Sequence, residues 1–177
     1  MTEKMTHTPE QIEQELDHIA SVAAVMVDGD LCRHIVTPRA LEYMFKSDPH
    51  DRFLAGDNYD VNDAQFNSAK NTLIRLSRLA PFACDVNLWM PVPGHPDKIQ
   101  AVIRNVHDLS QFYVFAAIYQ DLFPPMRTVL ETGKRVTVRQ HRGMISVLGP
   151  VYDSLGDIAG LVEVAAQPSS PAHEGHM

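Results

Sequence analysis

Apolar positions recur with a helical period in the first half of the chain and with strand character in the second. Ile12, Leu16, Ile19, Ala23 and Met26 fall at three- and four-residue steps, which is one stripe of an amphipathic helix. Thr8-Pro9-Glu10-Gln11 supplies its start, with Thr8 as the cap, Pro9 at the first helical position and Gln11 closing a capping box. This helix should run to about residue 27 and break at Asp28-Gly29-Asp30. Residues 31–35 read as a further helical stretch, and 39–45, after Pro38, as a short helix. Residues 46–63 are polar and turn-rich. Asn62 with Gln65 then repeats the capping-box signature, and Phe66, Ala69, Leu73, Leu76 and Ala80 form the next stripe, which ends before Pro81.

From residue 85 onward the pattern favours strands. Residues 85–91 and 99–104 read as a hairpin joined by Pro-Gly-His-Pro-Asp-Lys, 136–141 as a single strand, and 145–152 with 158–164 as a last hairpin. Gly156, in the Asp-Ser-Leu-Gly-Asp turn, is the residue free to take positive φ. Pro124-Pro125 start a short helix that Gly133 stops. Residues 107–123 are apolar without a clear period. The expected fold is α+β, an antiparallel sheet of about five strands with a long N-terminal helix and further helices packed on it. One domain should cover residues 10–166, flanked by tails at 1–9 and 167–177, the latter disordered for want of core-forming residues.

The last hairpin is apolar on both faces. A sheet that met water on one side would alternate, so something must cover its second face. Composition narrows what that can serve. The 177 residues suit one domain with a real core, and 45% apolar against 21% charged residues is ordinary for a globular chain. The net charge is −7 and the 15 Lys and Arg are scattered, which argues against nucleic acid. Cys32 and Cys84 stand in no metal or redox spacing and read as small buried apolar residues. No stretch approaches the roughly 20 apolar residues that span a bilayer, and no signal peptide is legible, so the expected location is cytoplasmic.

Two stretches resemble the Cache domains, the PAS-like sensor modules of bacterial receptors. Residues 23–36, Ala-Ala-Val-Met-Val-Asp-Gly-Asp-Leu-Cys-Arg-His-Ile-Val, are similar to the end of the long first helix in one Cache subgroup. Asp28, Gly29 and Asp30 match that signature, while Cys32 stands where a His is expected and His34 falls two places on. Residues 144–164 are similar to the Cache ending through Gly149, Pro150, Val151, Asp153, Gly156 and Gly160. The resemblance spans about residues 10–165. It implies a sheet with the long helix on one face and a roof of loops and a connecting helix on the other, with a ligand chamber under the roof. Cache domains of receptors usually sit between membrane helices and drive an output domain. Here neither is read, so the expectation is a stand-alone sensor.

Candidate ligand contacts follow from that plan, each beside a plainer reading. Arg139 and His141, with Arg135, share one side of a strand, where they either clamp a carboxylate or keep a sheet edge soluble. Trp89 either floors the chamber or fills core, and Tyr113, Phe115 and Tyr119 lie in the roof segment. Arg104 faces the site or water, Tyr152 sits near the last turn, and Arg127 is either at an anion-binding helix start or a surface residue. Asp28-Gly29-Asp30 falls short of a calcium loop and reads as a turn. The nine histidines are dispersed, with no haem-attachment or zinc motif, although His107 or His34 as a single axial haem ligand stays open. No enzyme motif, metal site or cofactor is legible.

The leading expectation is a sensory domain for signal transduction that binds a small molecule such as a carboxylate. It would signal through a partner or as a homodimer through the N-terminal helix. The alternatives are a ligand-free dimerisation or interaction module of the same fold, and a haem or metal sensor. The sensor expectation rests on a chamber between the sheet and residues 112–123.

Overall fold

Six strands form one wholly antiparallel sheet in the computed structural model, which describes residues 6–46, 60–115, 117–140 and 143–168. The elements are α1 (Pro9–Met26), α2 (Gly29–Arg33), α3 (Pro38–Lys46), α4 (Asp63–Ser77), β1 (Asp85–Val92), β2 (His95–Ile103), β3 (Gln120–Asp121), α5 (Pro124–Thr132), β4 (Val136–Arg139), β5 (Ile145–Tyr152) and β6 (Ile158–Ala166). The strand order is β3-β2-β1-β6-β5-β4. The strand beyond the expected five is β3, two residues that pair with Lys98 and Ile99 of β2. A two-residue strand is too short to show a period, which is why its segment reads as patternless. Most of the 167–177 tail and all but four residues of the 1–9 tail lie outside the described residues.

The capping box at Thr8 forms, with the Gln11 N–H donating to Thr8 Oγ1 (3.2 Å) and the Thr8 N–H donating to Gln11 Oε1 (2.9 Å). The stripe of α1 lies across β5 and β6, with Ile12, Leu16, Ile19 and Ala23 buried among Val147, Val162 and Val164. Met26 is 60% exposed, because the helix ends there, and Val27 takes its place in the core. This stripe is consumed inside the domain, so it cannot also be the dimer face expected of the N-terminal helix. Asp28 caps α2 by accepting from the Asp30 and Leu31 N–H groups (2.9 and 3.2 Å). The second predicted capping box does not form. Asn62 instead donates its amide to the His34 carbonyl (2.5 Å), tying the start of α4 to the end of α2.

The two faces of the sheet carry different covers. Val86, Leu88 and Met90 of β1 face α1, α2 and α4, while Trp89 of β1, Leu161 of β6 and Leu148 of β5 face α5 and the residue 104–123 roof. Both faces are therefore packed, which accounts for the two-sided apolar hairpin. Trp89, Ile99, Phe112, Met126, Val129, Leu148 and Leu161 close the roofed side into a second core, none more than 5% exposed. The chamber expected there is corrected to packed side chains.

Pairing of β1 with β6 stops at Trp89↔Leu161, whereas β1 continues beside β2 through Met90↔Gln100 and Pro91↔Ile99. Pro91 has no N–H to give a further neighbour. Past that pair β1 and β6 each run on for three more residues without pairing to one another, and the α2–α3 elbow lies over this end. Close backbone approach holds this end together. A Cβ on Gly29 would sit 2.5 Å from the Tyr152 carbonyl oxygen, and one on Gly160 would sit 2.7 Å from the Trp89 carbonyl oxygen. Both obstacles are backbone and cannot rotate away. Gly29→Ala and Gly160→Ala are each expected to cost about 1–3 kcal/mol by overpacking, read as a lower urea midpoint at unchanged slope. A variant as stable as the parent would show that the approach is looser than described.

Candidate functional site

The expected ligand contacts do not converge. Trp89 is fully buried, and its indole N–H donates to Glu163 Oε2 (3.1 Å). Arg104 lies over the Tyr113 ring (3.7 Å to the centroid) and pairs with Asp108 (2.7 Å), so these two serve each other at the roof surface. Phe115 is 85% exposed. Tyr119 packs beside Met44, Val92 and Ile118 and lines a shallow groove of about 400 Å³ along the outer edge of the roof. Arg139 donates to Glu13 through Nε (2.9 Å) and through Nη2, with Glu10 at 3.7 Å, and Arg135 takes Asp17 at 2.7 and 3.2 Å. These two arginines fasten the edge strand β4 to α1, where α1 carboxylates neutralise them. His141 lies outside the described residues. Tyr152 is partly exposed at the β5–β6 turn, outside the roof core.

What the roofed side holds instead is a buried carboxylate. Glu163, in the middle of β6, is fully buried and accepts four hydrogen bonds. Oε2 takes the Trp89 indole N–H and the Ser110 hydroxyl (2.7 Å), and Oε1 takes the Gln111 backbone N–H (2.9 Å) and the Ser146 hydroxyl (3.1 Å). Ser110 Oγ already accepts from the N–H groups of Phe112 and Tyr113 (both 3.2 Å), so its proton is left for Glu163. The Gln111 side chain reaches on to the Val138 and Met144 carbonyls and to Ser146 Oγ. Upstream, Asp85 accepts from the N–H groups of His107 (3.2 Å) and Leu109 (2.9 Å), while the Asn87 amide donates to the Leu109 carbonyl (2.8 Å). The roof is thus anchored residue by residue to β1, β5 and β6. Glu163, Asp85 and Asn87 went unnoticed in the sequence. Their signal is two acids and an amide inside otherwise apolar strands, positions that demand buried partners.

Among the described residues, a half-open cleft lies on the opposite face, beneath the α2–α3 elbow. It is a cleft of about 470 Å³ lined by Cys32, Arg33, Val36, Leu41, Met90, Pro91, Pro93, Gln100, Ile158 and Ala159. Its walls are mostly apolar, and Arg33 is the one charged lining residue among the described residues. The Arg33 guanidinium donates through Nη1 to Asp153 in the β5–β6 turn, whose other oxygen accepts from the Leu155 and Asp157 N–H groups (both 2.9 Å). The Arg33 bond, first, and these backbone bonds hold the Asp153 carboxyl below the usual carboxylate range. Gln100 stands opposite Met90, and among the described residues its amide has no hydrogen-bond partner.

Other chemistries find little support among the described residues. The Cys32 and Cys84 thiols are both pushed up to about 12, chiefly by burial, and so stay protonated at neutral pH. No three His, Cys, Asp or Glu side chains are grouped to hold a metal ion. His34 Nδ1 faces the Asp30 carbonyl oxygen (2.7 Å) and His107 Nδ1 faces Asp85 (2.9 Å). No described helix is long and apolar enough to cross a membrane.

Burial pushes the Glu163 carboxyl above the usual range, outweighing its four hydrogen bonds. Glu163→Gln turns an amide NH₂ toward two donors and leaves a buried one unpaired, at an expected cost of about 1–3 kcal/mol. Because the folded pKa lies above the unfolded value of 4.5, the contribution of Glu163 is fully present below 4.5 and is lost as pH rises through the folded value. The gap in urea stability between parent and E163Q should therefore narrow as pH is raised from below 4.5 toward neutrality. A gap that widens would contradict the assignment.

No protein-family model matches the chain, and no curated protein matches it. Among solved structures, an extracellular ligand binding receptor from Desulfohalobium retbaense DSM5692 aligns with 87% of the chain at 20% identity and a TM-score of 0.38. The chain spans 24% of that receptor's length. A likeness this distant carries no argument about function.

Proposed function

We propose that this chain is a small-molecule-binding sensory domain of Cache-like type whose ligand occupies the cleft under the α2–α3 elbow. One observation carries the reading. The cleft's volume of about 470 Å³ falls within the range of small-molecule sites, and it joins an apolar lining to a few polar groups. The last hairpin, with Asp153, Gly156 and Gly160, is one of the two Cache-like stretches of the sequence, and it forms one wall through Ile158 and Ala159.

A route from ligand to output is built into the same end. The cleft is walled by α2, and only Val27 and Asp28 separate α2 from α1. A ligand that prefers one position of the elbow shifts its population, and the stiff helix α1 transmits the shift along the sheet. The size of that response equals the ligand's differential affinity for the two positions.

A second reading, the ligand-free interaction module, is favoured by the packed roof, since Trp89 fills the space where a chamber was expected. Thermal shift against a broad library of organic acids, amino acids and neutral metabolites separates the two. On the sensor reading, a ligand at a hundred times its Kd adds about 2.7 kcal/mol to the parent. Leu41→Trp, which fills the cleft from α3, is expected to abolish that gain. A flat screen would favour the interaction module, and a hit indifferent to L41W would move the site elsewhere.

A further inference from the structure

Resting on that reading of the cleft, we infer that its ligand is a compact amphipathic monocarboxylate held by the outward edge of Arg33. The charge asymmetry of the Arg33–Asp153 pair carries this. The Asp153 side chain is 3% exposed, whereas that of Arg33 is 44% exposed and lines the cleft. The pair is neutral as a whole, yet the charge it presents to the cleft is positive. Among the described residues, no other charged side chain lines the space.

The geometry of the pair specifies which part of the guanidinium is available. Asp153 takes Nη1, and among the described residues Nε and Nη2 have no partner. Those two N–H groups form the side-on edge of the fork, which matches the two oxygens of a carboxylate. Asp153 is in turn fixed by the Leu155 and Asp157 N–H groups, so the guanidinium is planted before a ligand arrives. Preorganisation of this kind reduces the ordering cost of binding. The rest of the cleft states the remainder of the ligand. Met90, Leu41, Val36 and Ile158 offer an apolar bed, and the Gln100 amide offers both a donor and an acceptor for one polar substituent. A dicarboxylate is disfavoured, because a second charge would be desolvated against apolar wall with no partner.

The test compares 4-methylpentanoate with 4-methylpentanamide, which share a shape and differ in charge, followed through the Met90 ε-methyl NMR signal of the full chain. The acid is expected to shift that signal and to bind at least tenfold more tightly than the amide. Arg33→Lys, which keeps a cation for Asp153 but lacks the side-on edge, is expected to weaken the acid at least tenfold and leave the amide unchanged. Equal binding of acid and amide, both shifting Met90, would overturn the carboxylate assignment while leaving the cleft as a small-molecule site. No shift of Met90 with either probe would also overturn it, and the cleft itself would fall only if the broad screen were flat as well. Should R33K fail to fold, the acid–amide comparison on the unmodified chain is decisive by itself.

Discussion

A single carboxylate, Glu163, sets what the two faces of this sheet can do. It sits at the centre of β6 with no access to water, and its two oxygens gather donors from β1, β5 and the roof. An acid left there without partners would be intolerable, so its presence forces Ser110 and Gln111 down onto the sheet. With those two residues pinned, Phe112 drops between Trp89 and α5, and the space beneath the roof is filled. Asp85 and Asn87 repeat the device further along β1, where they hold the start of the roof. The roof is therefore a wall of the core, although its outer surface still exposes Phe115 and Val106.

On the proposed reading, exchange with small molecules then falls to the other face of the sheet. There β1 and β6 run on past Trp89↔Leu161 without pairing, Pro91 has no N–H to offer a neighbour, and the α2–α3 elbow leaves a cleft that it does not fill. The contrast between the two sides is chemical as well as geometric. On the roofed side the carboxylate and hydroxyl oxygens around Glu163 are all engaged, and among the described residues Asn105 Oδ1 and Gln111 Oε1 are the two buried exceptions. On the cleft side Arg33 and Gln100 keep hydrogen-bonding capacity in reserve, among the described residues, beside an apolar bed. Reserve of this sort is what a binding surface has and a folding core lacks.

Much of the architecture was legible in the chain because it is periodic. The α1 stripe, the Thr8 capping box, the αL cap at Gly133 (φ 69°) and the Gly156 turn (φ 85°) are local events, each written in a few consecutive residues. Errors began where tertiary contacts override local signals. Asn62 resembles a cap but spends its amide on the His34 carbonyl, 28 residues away. Arg139 has the look of an anion clamp on a strand, yet its partner Glu13 comes from the opposite end of the chain. The roof residues Tyr113, Phe115 and Tyr119 were grouped by sequence proximity, whereas an aperiodic segment scatters its side chains in different directions. Arg33 carried no local signal, since its partner Asp153 lies 120 residues away.

Amide hydrogen exchange at Gln111 tests the central claim most directly. That N–H donates to Glu163 Oε1 although it lies in a segment without regular structure. If the roof is part of the core, Gln111 should exchange as slowly as the amides of β6, through the same global opening. Exchange at the rate of an exposed loop, while β6 stays protected, would show a roof that lifts on its own and would return the ligand chamber to that side.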